Sequence, residues 1–213
     1  MHGIRTAVEK ILAERHRLSA RRSLLVAVSG IDASGKGILT ELIVAALQAK
    51  GMNAAGICAD GWLSLPSRRF SLVLPPEHFY RHAFRFREMF GQLVLPLKEK
   101  RSIRVAAGFV DETATACHRH AYNFFNVDVI VLEGIFLLKR ALRRHYDLTI
   151  WIDCSFETAV ERALERRQEG LGRAETIRAY ETLYFPAQRI HFALDRPVPA
   201  ASLVLNNDAR ILS

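Results

Sequence analysis

Cysteine is scarce, with three in 213 residues. Cys58, Cys117 and Cys154 form no C-x-x-C pair, and the odd number excludes a disulfide framework and points to a reducing compartment. Cys58 and Cys154 lie in apolar strand-like runs, which predicts small buried hydrophobes. Long apolar runs are missing too. The longest, "VDVIVLEGIFLL" and "SLLVAVSG", are broken by an acid or a glycine within strand length, so neither is a helix that crosses a bilayer. The opening "MHGIRTAVEKILAERHRL" lacks the continuous apolar centre of a secretory signal. It places Ile4, Val8, Ile11 and Leu12 at helical spacing, which predicts an amphipathic helix within residues 1–20. Glu9 and Glu14 count against a basic targeting segment. There is no internal repeat, no low-complexity linker and no block of basic residues. The net charge is +8, but the arginines are scattered among acids, which argues against a nucleic-acid partner. Positive charge also suits a polyanionic substrate. The expectation is a cytoplasmic protein with neither nucleic acid nor membrane as partner.

What is present is alternation. Half the residues are hydrophobic and about a quarter charged, an ordinary globular balance. "SLLVAVSG" reads as a buried strand. "ILTELIVAALQAKG" follows with Leu39, Leu42, Ile43, Ala46 and Leu47 at helical spacing and Gly51 as its stop. "MNAAGICAD", "NVDVIVLEG", "DLTIWIDC" and "ASLVLNN" are four more strands. "PPEHFYRHAFRFREMFGQLVLPL" opens with prolines and an acid, as a helix start does, and Pro96 is expected to end the segment. "SFETAVERALERRQEG" is a helix with Ser155 as N-cap and Gly170 as stop. Strands alternating with helices predict an α/β fold with a mostly parallel sheet, in one domain over 1–213. The less regular stretch 61–125 is expected outside the sheet, as loops and helices around a site.

The chemistry starts at "VSGIDASGKGILTEL". Gly30 to Lys36 spells G-x-x-x-x-G-K between a buried strand and an amphipathic helix, the context a phosphate loop requires. Gly30 permits the tight turn and Gly35 a close approach of backbone to phosphate. The amides of Ala33, Ser34, Gly35, Lys36, Gly37 and Ile38 are expected to ring the phosphate at the helix N-terminus, and the Lys36 side chain to reach the β- and γ-phosphates. The flanks argue against a mere strand-to-helix turn. Gly37 stands where a Ser or Thr hydroxyl would hold magnesium.

Two acids end strands at the same edge, the edge where parallel α/β sheets bind ligands. Asp60, in "ICADGW", is either a turn-forming Asp-Gly pair or an acid placed to take a proton from a hydroxyl or to bind metal through water. Glu133, in "VIVLEGIFLL", ends a run of apolar residues and is costly to bury without a task, so it is a candidate magnesium residue. Arg162, Arg166, Arg167 and Arg173 flank a glycine-interrupted break. Read alone they suit a solvated helix laced with Glu161, Glu165 and Glu169. Beside a phosphate loop they suit a lid over 162–175 that closes on the transferring group. "CHRH" offers His118 and His120 but no third ligand at metal spacing, so these are taken as loop residues.

The motifs "SGIDASGKG", "DGWLSLPSRRF", "EHFYRHAFRF", "VIVLEGIFLL", "DLTIWIDC", "RALERRQEGLGR" and "YFPAQRIHFALDRP", in that order, resemble the uridine kinase–phosphoribulokinase group of phosphate-loop kinases. The resemblance runs from about residue 24 to the end. It implies a P-loop NTPase fold with a five-stranded parallel core, ATP and Mg2+, and a small-molecule acceptor carrying a hydroxyl: a nucleoside, a sugar or a vitamin-like metabolite. It further implies Asp60 as general base, Lys36, Arg166, Arg167 and Arg173 acting on the phosphoryl group, Arg162 beside the nucleotide, and Glu133 with Asp60 at the metal. Three positions depart from the pattern. Gly37 replaces the metal-binding hydroxyl, Phe109 and Val110 stand where nucleoside kinases carry a Tyr-Asp pair, and His82 replaces an acid. The departures keep a nucleotide-binding regulator without transfer activity as the rival reading. A homo-oligomer is left open.

Overall fold

The most apolar strands occupy the middle of one sheet. The structure is a computed structural model that describes residues 2–111, 114–166 and 170–208. Its strands are β1 (Leu24–Gly30), β2 (Ala54–Cys58), β3 (Ile103–Phe109), β4 (His118–Phe124), β5 (Val129–Glu133), β6 (Leu148–Asp153) and β7 (Leu203–Asn206). Five are parallel, in the order β2-β5-β1-β6-β7. Every residue of β1 and β5 is buried, while the edge strands β2 and β7 alternate. A strand covered on both faces must be apolar throughout, which is why these runs lack period-two patterning.

The helices are α1 (His2–Arg17), α2 (Lys36–Gln48), α3 (Pro66–Arg69), α4 (Pro75–His82), α5 (Phe86–Met89), α6 (Leu95–Lys100), α7 (Arg140–Arg143), α8 (Phe156–Arg166), α9 (Arg173–Ala179), α10 (Phe185–Asp195) and α11 (Pro197–Ala200). Leu24, Val26 and Val28 of β1 pack with Val8 and Ile11 of α1 and Ile43 and Leu47 of α2. Leu25 and Ala27 face the opposite layer, with Met89, Leu93, Leu97 and Trp151. The N-terminal helix expected from Val8 and Ile11 therefore closes one face of the sheet. Ser155 Oγ accepts from the Thr158 amide at 3.2 Å at the start of α8, as an N-cap does. No helix among the described residues is long and apolar enough to cross a membrane.

Three expectations need correction. Pro96 does not end its helix: a π-turn over Phe90–Val94 leads into α6, which carries Pro96 in its first turn and continues to Lys100. A second π-turn, Tyr180–Tyr184, leads in the same way into α10 and Pro186. Proline lacks the amide that would bond the carbonyl four residues back and its ring crowds that carbonyl. The widened turn moves the carbonyl aside, so the helix bends through the proline instead of stopping. Secondly, the stretch 61–125 contains an antiparallel hairpin, β3 with β4, and "CHRH" lies not in a loop but at the start of β4. Thirdly, Cys58 is exposed and Cys154 only partly buried, because β2 is an edge strand whose last side chain opens on the cleft.

α4, α7 and α10 are tied by one carboxylate. Asp195 is 5% exposed. It accepts from the Tyr80 hydroxyl at 2.6 Å, from the Arg140 amide at 2.9 Å, and pairs with His191 Nδ1 at 2.7 Å. Burial alone would raise its pKa, but the bonds from His191, Tyr80 and Arg140 outweigh burial and hold it at about 2. Asp195→Ala leaves these donors without an acceptor and is expected to cost about 3 kcal/mol, read as a lower midpoint in urea. Because the folded pKa is depressed, the stability Asp195 contributes is present above about pH 4 and lost as pH falls through about 2. Asp195→Asn is therefore expected to flatten the stability–pH curve between those values, measured by denaturant titrations at stepped pH.

Candidate active site

β1 ends at Gly30 and α2 begins at Lys36. Between them Ala33 and Gly35 take left-handed φ of 53° and 83°, and successive amides in such a turn point into one concavity. A Cβ on Gly30 would lie 2.8 Å from the Ile152 carbonyl oxygen. One on Gly35 would lie 2.4 Å from Asn207 Nδ2, on a φ already unfavourable to L-residues. Asn207 and Arg162 brace the loop from outside: Asn207 Nδ2 donates to the Ser34 carbonyl at 2.7 Å, Arg162 Nη1 to the same oxygen at 3.3 Å, and Arg162 Nη2 to the Asn207 carbonyl at 2.9 Å. Arg162 thus meets the site through the loop backbone.

The amides of Gly35, Lys36, Gly37 and Ile38 precede the first helical bond, from Leu39 to the Gly35 carbonyl, and have no acceptor inside the helix. Ser34 Oγ is buried with no hydrogen-bond partner. Orphan amides, an orphan hydroxyl and the positive helix end suit a phosphate group. The amides of Ala33 and Ser34, expected in the same ring, already donate to Asp32 Oδ1 at 2.8 Å and to the Ile31 carbonyl at 3.2 Å.

Asp60 lies in the short turn Ala59–Gly61 that follows β2, and Glu133 is the last residue of β5, in register with Cys58. Cys58 Sγ and carboxylate oxygens of Asp60 and Glu133 lie within 4.8 Å of one another. Burial, then the Glu133 charge, raises the Asp60 pKa to about 6, against the pull of Lys36 and Arg166. Burial, with Asp60 and Glu133 adding, pushes the Cys58 thiol far up, so it stays protonated and is no ligand for a hard cation. The two carboxylates are oxygen donors of the kind magnesium takes, with water completing its octahedron.

Lys36, Asp32 and Asp60 line one end of a cavity of about 270 Å³. Its other walls include Leu63, Phe70, Phe79, Phe84, Ile135 and Tyr184, with Arg69. Phe79 meets Tyr184 edge-on at 5.2 Å and Phe70 in a stack at 5.9 Å. Arg69 is 5% exposed, with its guanidinium 5.0 Å from the centre of the Phe70 ring. Phe109 and Val110 are not among the cavity walls. Phe109 packs on Gly61 and against His118 and His120, at 5.0 and 5.2 Å, and the Val110 amide donates to the Gly61 carbonyl at 3.1 Å. Both back the Asp60 turn. His82 lines a separate cleft with Arg68 and Arg81.

Of the expected lid arginines, Arg166 reaches the loop: its Nη2 is 3.6 Å from Asp32 Oδ1 and 3.4 Å from the Tyr180 hydroxyl. Arg173 is exposed at the start of α9, and Arg167 lies outside the described residues. Residues not singled out from the sequence are Asp32, Arg69, Tyr180, Tyr184 and Gln188. The last three are spaced by four in "YETLYFPAQ", a helical face that could have been read. The cavity's aromatic wall, scattered from Phe70 to Tyr184, gave no linear signal.

No family model and no curated protein matches the chain, whereas solved structures do. A Bacillus stearothermophilus protein described as a possible uridine kinase superposes with TM-score 0.76 at 18% identity, over 96% of this chain and 97% of that one. A Silicibacter protein described as a candidate fructose transport system kinase gives 0.68 at 24%, over 93% and 98%. The D-glycerate 3-kinase of Cryptococcus neoformans gives 0.67 at 13%, over 96% and 95%. The fold is that of the phosphate-loop kinases, as the order of motifs implied.

Gly35→Ala tests the loop. The substitution adds a methyl at a strained φ and against Asn207, and is expected to weaken nucleotide binding at least about tenfold. The melting temperature is expected to change little, because the loop lies outside the core. Calorimetric titration with ADP, beside a thermal melt, checks both.

Proposed function

We propose that the chain is an ATP-dependent kinase that transfers a phosphoryl group to a hydroxyl of a small metabolite. The observation that carries this reading is that the loop lysine, Lys36, and a strand-end acid of raised pKa, Asp60, line one cavity whose remaining walls are apolar. The acceptor oxygen bonds to the γ-phosphorus as the bond to ADP breaks. Asp60 takes the hydroxyl proton, and Lys36 and Arg166 balance charge on the moving group. Magnesium, when held by Glu133 and Asp60, supplies further neutralisation of the phosphates.

The similar structures carry the names of different acceptors, so the fold alone does not choose among nucleoside, sugar and vitamin-like alcohols. The walls favour a body that is planar or apolar. A bare polyol would lose water at Phe70, Phe79 and Phe84 without gaining partners. Arg69 favours an anionic or carbonyl substituent on that body. Gly37 favours a second reading, a nucleotide-binding regulator without transfer activity, which requires ATP binding and no turnover with any alcohol. The experiment is a panel of hydroxyl compounds assayed for ATP consumption, with Asp60→Asn as the blank.

General-base help contributes roughly 10²–10⁴-fold. Asp60→Asn is therefore expected to lower kcat by about that factor with ATP affinity nearly unchanged. The base works ionised, so wild-type activity falls as pH drops through the Asp60 pKa, at or below about 6 once magnesium pulls it down. That limb disappears in Asp60→Asn, and pH–rate profiles of both proteins check it. Gly37→Ser tests the metal: a Cβ there meets nothing within 4 Å, so the hydroxyl fits. The variant is expected to reach half-maximal activity at lower magnesium than wild type in a titration of ATP turnover.

A further inference from the structure

Asp32 sits inside the phosphate loop, where an acid opposes the attraction of the loop for anions. Its surroundings are nonetheless built for a carboxylate. Oδ1 accepts from the Ala33 amide at 2.8 Å and lies 3.6 Å from Arg166 Nη2. Oδ2 accepts from the Tyr180 hydroxyl at 2.7 Å, and the Asp32 amide donates to Gln188 Oε1 at 3.0 Å. Tyr180 and Gln188 are buried. Burial would raise the carboxyl, but Lys36, Arg166, Tyr180 and the Ala33 amide outweigh it and lower its pKa. Asp32 is therefore ionised at neutral pH.

A loop amide, the lysine's field and an arginine from the expected lid are the groups that a nucleotide's phosphates seek. We propose that Asp32 is an internal stand-in for phosphate: without nucleotide its carboxylate holds the Ala33 amide and the Arg166 guanidinium, and bound nucleotide takes Arg166 from it. This rests on the reading of the loop as a nucleotide site. It gives Asp32 a positioning role in the regulation of that site. Arg166 is parked beside the loop before substrate arrives, nucleotide must compete for it, and it has a place to return to as product leaves. The competition sets nucleotide affinity below what the loop alone would give.

The test is calorimetric binding of Mg·ADP and of inorganic tripolyphosphate to wild type, Asp32→Asn and Tyr180→Phe, with thermal melts to check folding. Asp32→Asn removes the competing charge and keeps oxygen and shape. It is expected to bind both ligands about tenfold tighter, with a smaller effect at high salt. Asp32→Ser must shift affinity the same way, so the result does not hang on one variant folding. Tyr180→Phe keeps the charge and is expected to stay within about threefold of wild type. Without ligand, amide exchange over Phe156–Arg166 is expected to be faster in Asp32→Asn than in wild type. Unchanged or weaker binding by both Asp32 variants overturns the proposal and leaves the nucleotide site standing. Failure of wild type to bind either ligand overturns both.

Discussion

Lys36 stands among three acids. Asp32, Asp60 and Glu133 gather at the carboxyl edge of the sheet, and the fields of Lys36 and Arg166 reach Asp32 and Asp60 there. Three carboxylates against two cations leave a negative balance in a site built to receive phosphate. That constraint orders the rest. It explains why Asp60 holds its proton more tightly than an exposed acid, why Asp32 is braced by a tyrosine and an amide, and why the two strand-end carboxylates suit a divalent cation. The sheet order makes the crowding possible. β1 lies between β5 and β6, so the loop after β1 opens where connections run to both sides, with Glu133 on the neighbouring strand and Asp60 one strand further.

The parts of this arrangement legible in the sequence are those that local physics writes continuously. Buried parallel strands must be apolar along their whole length, so "LLVAVSG" and "VIVLE" declared themselves. The loop was legible because glycines at fixed offsets are demanded by backbone, not by side-chain contacts. β4 was not legible: His118, Arg119 and His120 leave most of one strand exposed, and a hairpin packed by one face on Trp62 and Phe109 carries too weak a period. Pro96 misled because a π-turn is invisible to a rule that assumes four-residue bonding. The link between Asp32 and Tyr180 spans 148 residues, and no spacing announces it.

Chemistry and specificity come from different parts of the chain. The phosphate loop, Asp60 and Glu133 sit at strand ends, held by the sheet register. The cavity walls come from α3, α4 and the turn before α10, which hang outside the sheet and pack by aromatic side chains. Volume can be exchanged among such side chains at small cost while the strand ends stay in place. This division accounts for a common fold at identities of 13% to 24% among structures bearing different acceptor names.

The π-turn at Tyr180–Tyr184 has a consequence for how this helix tolerates insertion and deletion. One residue corresponds to about 100° of helical rotation. Tyr180 faces the phosphate loop and Tyr184 the acceptor cavity, and the widened turn between them sets their relative bearing. Removing a single residue there would restore ordinary winding and swing everything on one side of the cut through more than a quarter circle. Either the Asp32 contact or the cavity wall would then be lost. The segment can change its side chains but not its length, so the two half-sites are locked to one phase of a single helix.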